Sequence, residues 1–538
     1  MQEAISLDAP PARRRRRLKA LGARVAASAP TRADVILAAT TVLLLVLSFP
    51  DFDLWPLAWV ALAPLMIALV RTRVRAATAF MLGWGAGAVF FYATCYWLTH
   101  AMIHFGGLPR PLAFALLVPG ALGVGLFPAL WALALARASA RWGLVALLLA
   151  PPAWAACEWL RLGATGQLWN AIGYSQAYAP ALIQPARWGG VYLVGFLIVT
   201  VNAALAYLVL RRSARAAALM TAALAGVALV IFLSERPSGS AGDGRLSAYV
   251  VAVQPNVSAG FARTSEEVAR LVALHLSLSE EALRGAPEGV PRVVVWPESP
   301  MNFAYSRDAG LREVVGQFAR EHRASVLFNS MEPAPLAGVY NSAVMVNEED
   351  RLVARYDKIR LLPFGEYVPL PRWLPLTWLL GGIVGDFTPG AEYPLMPLGD
   401  ARAGVFICFE SAFPSIARHF AHDGADALVN ISNDGYLGQT PVIRQHLANV
   451  VFRAVETGRP VLRVTNTGIS AYITPRGEVL DATATYATAA RAWTVGRARE
   501  GKTFYTEHGD VFVALCAAAS LLVFAATFRR RRKRTEKV

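Results

Sequence analysis

The sequence predicts an integral membrane protein that carries one α/β domain outside the bilayer. Of its 538 residues, 55% are hydrophobic and only 17% are charged, whereas soluble globular chains carry about 25% charged residues. The net charge of +15 is compatible with nucleic-acid binding, but the long apolar runs argue against that function. Four cysteines are also too few to hold a chain of this length together as a disulfide-rich scaffold.

Eight apolar segments predict the membrane part, because each approaches the roughly 20 apolar residues that a spanning helix requires. They are 33–50, 54–70, 76–99, 111–136, 143–160, 191–210, 216–234 and Val511–Phe528. Clusters of Arg and Lys precede the first segment and follow the second, fourth, sixth and eighth, while the alternate loops are nearly free of them. Since Lys and Arg concentrate in cytoplasmic loops, we expect both termini in the cytoplasm and the α/β domain on the outer face.

The predicted organisation has five parts. A basic segment, 1–32, precedes a seven-helix bundle at 33–237, and the α/β domain occupies 238–508. An eighth helix follows at 509–528, and a basic tail at 529–538 ends the chain. The apolar segments hold very few ionisable residues, whereas transporters and pumps place such residues at mid-membrane. The bundle is therefore expected to be a platform rather than a conduit.

Three reactive residue types each follow a predicted strand of the α/β domain. Glu298 follows the apolar run 292–296, Lys358 comes after the run that begins at Leu352, and Cys408 follows 403–407. A thiol needs a base to become a nucleophile at neutral pH. The tetrahedral intermediate of acyl transfer needs a fixed donor for its oxyanion. These residue types supply those parts, although Cys408 taken alone is also compatible with a buried cysteine that has only a packing role.

Together the three motifs resemble the nitrilase, or carbon–nitrogen hydrolase, superfamily over about 245–490. The resemblance implies an αββα sandwich in which Glu298 is the general base, Lys358 stabilises the oxyanion and Cys408 is the nucleophile. Glu366 matches a second glutamate that is essential in this superfamily.

Further site predictions concern the residues around the nucleophile and the absence of cofactors. Phe409 and Glu410, which directly follow the nucleophile, are expected to support the site or contact substrate. His446 and His508 lack neighbouring ligands at metal-binding spacing, so we expect structural roles for them and no metal. No glycine-rich phosphate loop occurs in a strand–helix context, so no nucleotide cofactor is expected.

The whole chain is similar to the membrane branch of this superfamily, the apolipoprotein N-acyltransferases. The similarity rests on the eight-segment layout, the element 54–59 and the sequence 445–447, Gln-His-Leu. Two positions depart from the family pattern: Phe409 stands where tyrosine is usual, and Phe261 is the aromatic residue near a position where tryptophan is usual.

This similarity implies a two-step transfer in the outer leaflet of a bacterial cytoplasmic membrane. Cys408 would take an acyl chain from a glycerophospholipid. The α-amino group of a diacylglyceryl-modified N-terminal cysteine on a lipoprotein would then attack the thioester. We expect a monomer.

The segment 371–384 indicates a lipid substrate independently of any family. It is almost wholly apolar, yet too short and too rich in proline to span a bilayer. Indole rings favour the headgroup level, so we predict that Trp373 and Trp378 contact lipid. The alternative is a loop packed in the core of the domain.

Two other functions compete with acyl transfer. A membrane-anchored amidase or nitrilase would use the same three residues with water as acceptor, but it needs one anchor rather than eight helices. A degenerate sensor on a transport bundle is disfavoured because Glu298, Lys358 and Cys408 are all present in order.

Overall fold

The computed structural model of the chain describes residues 30–71, 75–235, 247–258, 260, 264–298, 303–335, 338–368, 386–498 and 501–528. Its first half is helical. The helices are α1 Arg32–Leu47, α2 Ala58–Ala61, α3 Ala63–Arg71, α4 Ala76–Thr94, α5 Leu98–His104, α6 Arg110–Trp142, α7 Ala150–Thr165, α8 Pro180–Ile183, α9 Ala186–Arg211 and α10 Ala214–Ser234. Three short 3-10 turns, Trp55–Leu57, Gly143–Leu149 and Ile172–Gln176, join them.

Four helical stretches among the described residues are long and apolar enough to cross a membrane. They are Ala76–Thr94, Arg110–Thr165, Ala186–Arg211 and Ala214–Ser234, and the apolar helices Trp55–Arg71 and Val511–Ala526 are shorter. The exposed positions of these helices carry large apolar side chains, including Leu229, Phe232 and Leu522. Such a surface requires an apolar surrounding.

Several predicted helix limits differ from the structure, and two of them have a clear local cause. The segment expected at 76–99 ends at Thr94, because the chain turns there and the Trp97 indole donates a hydrogen bond to the Thr94 carbonyl oxygen at 3.0 Å. The segment expected at 143–160 begins as a 3-10 turn and becomes α-helical only at Ala150, with Pro151 and Pro152 in its first turn. Proline is tolerated there because the first helical N–H groups have no intrahelical acceptor.

The α/β domain contains two mixed six-stranded sheets, as the predicted αββα sandwich requires. Their strands are β1 Ala248–Gln254, β2 Arg292–Val295, β3 Ala324–Pro333, β4 Val339–Val346, β5 Leu352–Asp357, β6 Leu395–Leu398, β7 Ala401–Ile407, β8 Ala427–Ser432, β9 Val461–Thr465, β10 Ala471–Ile473, β11 Val479–Leu480 and β12 Ala489–Val495. The first sheet has the order β12-β1-β2-β3-β4-β5, and the second has the order β11-β10-β9-β8-β7-β6. The central pairs β1–β2, β2–β3, β7–β8 and β8–β9 are parallel.

The sheets face each other and helices cover their outer faces. Helices α11 Ser265–Leu283 and α12 Ala309–His322 pack on the first sheet, and α13 Pro414–His422 and α14 Val442–Thr457 pack on the second. The central parallel strands are almost wholly apolar, as expected for strands buried on both faces. The reactive ends of β2, β5 and β7 therefore lie at the edges of a rigid double layer.

Helix α14 joins the two halves of the molecule. Every residue from Val442 to Thr457 except Arg444 is buried, because α14 packs on the second sheet and also against α9. Glu456 accepts a hydrogen bond from the Val191 backbone N–H at 2.9 Å. The last helices, α15 Phe504–His508 and α16 Val511–Ala526, complete the described chain beside the bundle.

Candidate active site

The structure brings the three predicted catalytic residues together from both sheets. Glu298 lies three residues beyond the end of β2, and Lys358 directly follows β5 in the same sheet. Cys408 directly follows β7 in the facing sheet. The thiol lies close enough to Glu298 and Lys358 for both charges to influence its pKa.

Glu298 is held by three donors. Its Oε1 accepts hydrogen bonds from Asn341 Nδ2 at 3.0 Å and from Lys358 Nζ at 3.5 Å. Its Oε2 accepts from the backbone N–H of Asn433, which follows β8, at 3.1 Å. The carboxylate is therefore fixed between the two sheets, with both oxygens oriented by protein donors.

Lys358 lies between two carboxylates. Its Nζ donates to Glu366 Oε1 at 2.9 Å as well as to Glu298, and the residue is 1% exposed. Burial disfavours the charged amine, but Glu366 and then Glu298 outweigh this effect and raise the pKa of Lys358 above its usual value. The lysine is thus an ammonium ion with a fixed direction, and cannot itself serve as a base at neutral pH.

Asn341 is a site residue that sequence reasoning missed. Its Nδ2 donates to Glu298 and, at 2.7 Å, to Glu366, while its Oδ1 accepts from Asn329 at 2.7 Å. Asn341 lies on β4, and the Asn-Ser pair at 341–342 interrupts an otherwise apolar strand. A buried polar pair within an apolar strand was the available signal, because buried amides need partners.

Cys408 has an unusual backbone conformation and a neutral thiol. Its φ is +52°, in the left-handed region that non-glycine residues seldom adopt. Burial, followed by the charge of Glu298, raises the pKa of the Cys408 thiol, and Lys358 only partly opposes them. The thiol is therefore protonated at neutral pH, and a nucleophilic role would require a base to remove its proton.

Glu410 is buried and accepts four hydrogen bonds. Its Oε1 accepts from the Tyr356 hydroxyl at 2.8 Å and from the backbone N–H groups of Ile359 and Arg360 at 2.8 and 3.0 Å. Its Oε2 accepts from the Ile407 backbone N–H at 2.8 Å. This carboxylate ties the turn after Lys358 to the strand end before Cys408, and its burial raises its pKa.

Phe409 connects the predicted nucleophile, Cys408, to the helical half. Its ring stacks on Trp169 with 6.1 Å between ring centroids and 18° between ring planes. The Trp169 indole donates to Gln445 Oε1 at 2.8 Å, and Trp97 donates to the same oxygen at 3.1 Å. Gln445 Nε2 in turn donates to the carbonyl oxygen of Thr94 at 3.0 Å. The aromatic ring next to Cys408 therefore contacts the bundle directly.

A small, mostly apolar cavity lies inside the bundle, close to this contact. Its lining includes Leu45, Phe49, Phe90, Phe127 and Asn170. Asn170 directly follows Trp169, whose ring stacks on Phe409, so the cavity lining is adjacent in sequence to this stacked pair.

Two residues of the predicted site, and Phe261, fall outside the described residues. Trp373 and Trp378 lie in the segment 369–385, and Phe261 lies in 261–263. The predicted lipid contacts of the segment 371–384 therefore remain predictions. Within the described part of the chain, no group of three or more His, Cys, Asp or Glu side chains is placed to hold a metal ion.

Comparison with protein families matches both halves of the chain. Residues 42–204 match the apolipoprotein N-acyltransferase N-terminal domain, and residues 250–491 match the carbon–nitrogen hydrolase family. Among solved structures, Saccharomyces cerevisiae Nit3 of the nitrilase superfamily is 17% identical. That alignment covers 46% of this chain and 90% of Nit3, with a TM-score of 0.37.

Curated relatives extend the match to nearly the full length. The apolipoprotein N-acyltransferase of Geobacter metallireducens is 33% identical over 508 residues, which are 93% of this chain and 96% of the relative. That of Allorhizobium ampelinum is 33% identical over 422 residues, which are 75% of this chain and 77% of the relative. The chain belongs to the apolipoprotein N-acyltransferase family.

Proposed function

We propose that this protein transfers a fatty acyl chain from a glycerophospholipid to the α-amino group of the diacylglyceryl-cysteine that begins an apolipoprotein. The observation that carries the proposal is the convergence of Glu298, Lys358 and Cys408 beside a contact with an apolar helical bundle. Both substrates have acyl chains in the bilayer, and a lipid-facing bundle is the part that a hydrolase of small amides would not require. Family membership supports the same function.

In the first half-reaction, Cys408 Sγ attacks the ester carbonyl carbon of the phospholipid while Glu298 accepts the thiol proton. Two of the three Lys358 N–H donors point to Glu366 and Glu298, so one remains for the oxyanion of the tetrahedral intermediate. When the intermediate collapses, the ester C–O bond breaks and Glu298 returns the proton to the leaving oxygen. The products are a thioester on Cys408 and a lysophospholipid.

In the second half-reaction, the free amine of the lipoprotein attacks the thioester carbonyl. The new C–N bond forms, the C–S bond breaks, and Glu298 carries a proton from the amine to the departing sulfur. Lys358 again stabilises the oxyanion. The enzyme is regenerated, and the acceptor leaves as an amide, which completes a ping-pong cycle.

The proposed membrane arrangement follows the basic clusters of the sequence. Eight helices cross the bacterial inner membrane, with 1–32 and 529–538 in the cytoplasm and the catalytic domain, 238–508, on the outer face between the seventh and eighth helices. This orientation places Cys408 on the side where lipoproteins are exposed after export. We propose that the protein acts as a monomer, because its one chain supplies both the platform and the site.

Mass spectrometry of the acylated cysteine tests the proposal. The full-length protein in detergent is incubated with phosphatidylethanolamine and its cysteine peptides are analysed. We expect a fatty-acyl adduct on Cys408 and none on Cys95, Cys157 or Cys516, which provide internal controls on the same chain. A Cys408→Ala variant should give no adduct.

The second step is tested with matched acceptor peptides. A diacylglyceryl-cysteinyl peptide with a free amine should discharge the thioester and gain the acyl chain, whereas the same peptide with an acetylated amine should not. Release of free fatty acid at the same rate with either peptide would refute transfer and indicate a hydrolase. Absence of any adduct on Cys408 would refute the thioester intermediate.

A further inference from the structure

The side chain of His446, on helix α14, contacts the main chain of Cys408. The His446 Nε2 lies 2.9 Å from the carbonyl oxygen of Cys408, and its Nδ1 lies 2.8 Å from Asp434 Oδ1. Its side chain is 4% exposed. Neither contact involves the thiol, so this residue stands apart from the three proposed catalytic groups.

Both nitrogens of His446 act as donors. A carbonyl oxygen only accepts hydrogen bonds, and an ionised carboxylate only accepts them too. Asp434 is ionised, because the charges of Arg463 and His446 outweigh its burial and lower its pKa to about 2. The ring is therefore held at both ends and cannot rotate without losing a buried hydrogen bond.

The support behind His446 reaches back into the second sheet. Arg463 on β9 donates to Asp434 Oδ2 at 2.9 Å and also contacts Asn430 on β8. Asn430 Nδ2 donates to the Phe406 carbonyl oxygen, two residues before Cys408, at 3.2 Å. Gly468 leaves room for the Asp434 carboxylate, since a β-carbon there would lie 2.0 Å from Oδ2. Any larger residue at this position would displace the Asp434 carboxylate.

The conformation of Cys408 explains why such support is useful. A left-handed φ in a non-glycine residue costs about 1 to 2 kcal/mol, so neighbouring contacts must hold it. The peptide group between Cys408 and Phe409 is planar and trans, so its C=O and N–H point in opposite directions. A hydrogen bond that fixes the carbonyl oxygen therefore also fixes the direction of the Phe409 N–H beside the reacting sulfur.

We propose that His446 is a positioning residue for acyl transfer, which holds the peptide plane of Cys408 and Phe409 in the orientation that the tetrahedral intermediate requires. It does so through its Nε2 donor, and Asp434 and Arg463 hold the ring. The inference rests on the proposed function, because it concerns the oxyanion that forms during attack on an ester. It assigns His446 no role in deprotonating the thiol.

Two substitutions separate the two hydrogen bonds of the ring. His446→Gln keeps an N–H donor near the Nε2 position and loses the one near Nδ1, whereas His446→Asn does the reverse. Since a displacement of about 1 Å can cost about 10²-fold in rate, we expect His446→Asn to slow acylation of Cys408 by phosphatidylethanolamine by about that factor. We expect His446→Gln to stay within about tenfold of the unaltered protein, a loss of 1.4 kcal/mol at most.

Alkylation by iodoacetamide is the readout that a general structural defect would also change. This reaction displaces iodide from carbon and forms no oxyanion, so its rate at Cys408 should change by less than about threefold in both variants. The expected signature is slow acylation with normal alkylation in His446→Asn, and near-normal rates of both reactions in His446→Gln.

Three results would overturn the inference. They are equal acylation rates in the two variants, a parallel loss of alkylation and acylation, or a folded His446→Gln protein that is as slow as expected for His446→Asn. If His446→Asn does not fold, the acylation rate of His446→Gln alone tests the inference. If the unaltered protein acquires no acyl adduct, the proposed function itself fails. An unaltered protein that acylates while His446→Asn keeps its rate contradicts this inference alone.

Discussion

Substitution of Glu410 by glutamine should weaken the connection between the strand end at Cys408 and the turn after Lys358. The carboxylate accepts three hydrogen bonds on Oε1 and one, from the Ile407 N–H, on Oε2. Glutamine can place its carbonyl oxygen at the first position, but its NH₂ group then faces the Ile407 N–H. The Ile407 N–H, which donates to the carboxylate in the unaltered protein, would then face another donor.

The size of this effect follows from the buried groups that lose partners. An unsatisfied buried donor costs about 1 to 3 kcal/mol, and two donors are left facing each other. Replacing a buried charge by a neutral amide recovers part of this cost, because burial opposes ionisation of Glu410. We therefore expect a net loss of about 3 kcal/mol, which lowers the melting temperature by about 6 to 12 °C in a domain of this size.

Thermal unfolding of the detergent-solubilised full-length protein measures this loss, and acylation of Cys408 measures its consequence. Glu281→Gln is the matched control, because Glu281 lies exposed in the same domain and exposed substitutions usually change stability by less than about 0.5 kcal/mol. Acylation should fall in Glu410→Gln as the nucleophile turn loses its support. A melting temperature and an acylation rate equal to those of the control would refute this account of Glu410.

Three further predictions concern the thiol, the topology and the apolar segment. Because burial and the charge of Glu298 raise the pKa of Cys408, alkylation by iodoacetamide should be slow at pH 7 and should still be rising at pH 9. Glu298→Gln should accelerate alkylation at pH 8 and abolish acylation, and a slower alkylation would contradict the charge effect. A reporter after Val538 should be active only in the cytoplasm and one near residue 240 only outside; the same side for both would disprove the proposed topology. Asp substitutions at Trp378 and Leu379 should reduce phospholipid acylation without changing the melting temperature, whereas unfolding would indicate a core loop.

The sequence predicted those parts of the fold that depend on local patterns of apolar and polar residues. Apolar runs followed by reactive residues marked the ends of β2 and β7, and Glu298 and Cys408, which follow these strands, lie close enough to interact electrostatically. Helix limits were less accurate where a tertiary contact or a proline decided them. Thr94 ends a helix because Trp97 and Gln445 bond to its carbonyl oxygen, and Gln445 lies on a distant helix.

The contacts that orient the reactive groups were beyond a reading of the sequence, because each joins positions far apart in the chain. Asn341 lies 43 positions after Glu298, which it orients, and His446 lies 38 positions after Cys408, whose carbonyl oxygen it contacts. The Asn-Ser pair at 341–342 and the sequence Gln-His-Leu at 445–447 are visible in the sequence, but neither indicates which group the side chain contacts. The sequence reading gave His446 a structural role, and its bond to the main chain of the nucleophile is compatible with that role.

A structural contact so close to a nucleophile is also a means of controlling reaction geometry. In the proposed mechanism, rigid placement matters because one thioester must form from a first lipid and then react with a second before water does. The hydrogen bonds of Glu410 and His446 fix the backbone on either side of Cys408 without touching its sulfur. In the proposed mechanism, the thiol stays neutral until Glu298 accepts its proton during attack. Buried polar contacts thus hold the backbone, whereas one carboxylate governs the thiol. The His446→Asn and Glu410→Gln substitutions should therefore slow acylation more than alkylation, whereas substitution of Glu298 should abolish acylation and accelerate alkylation.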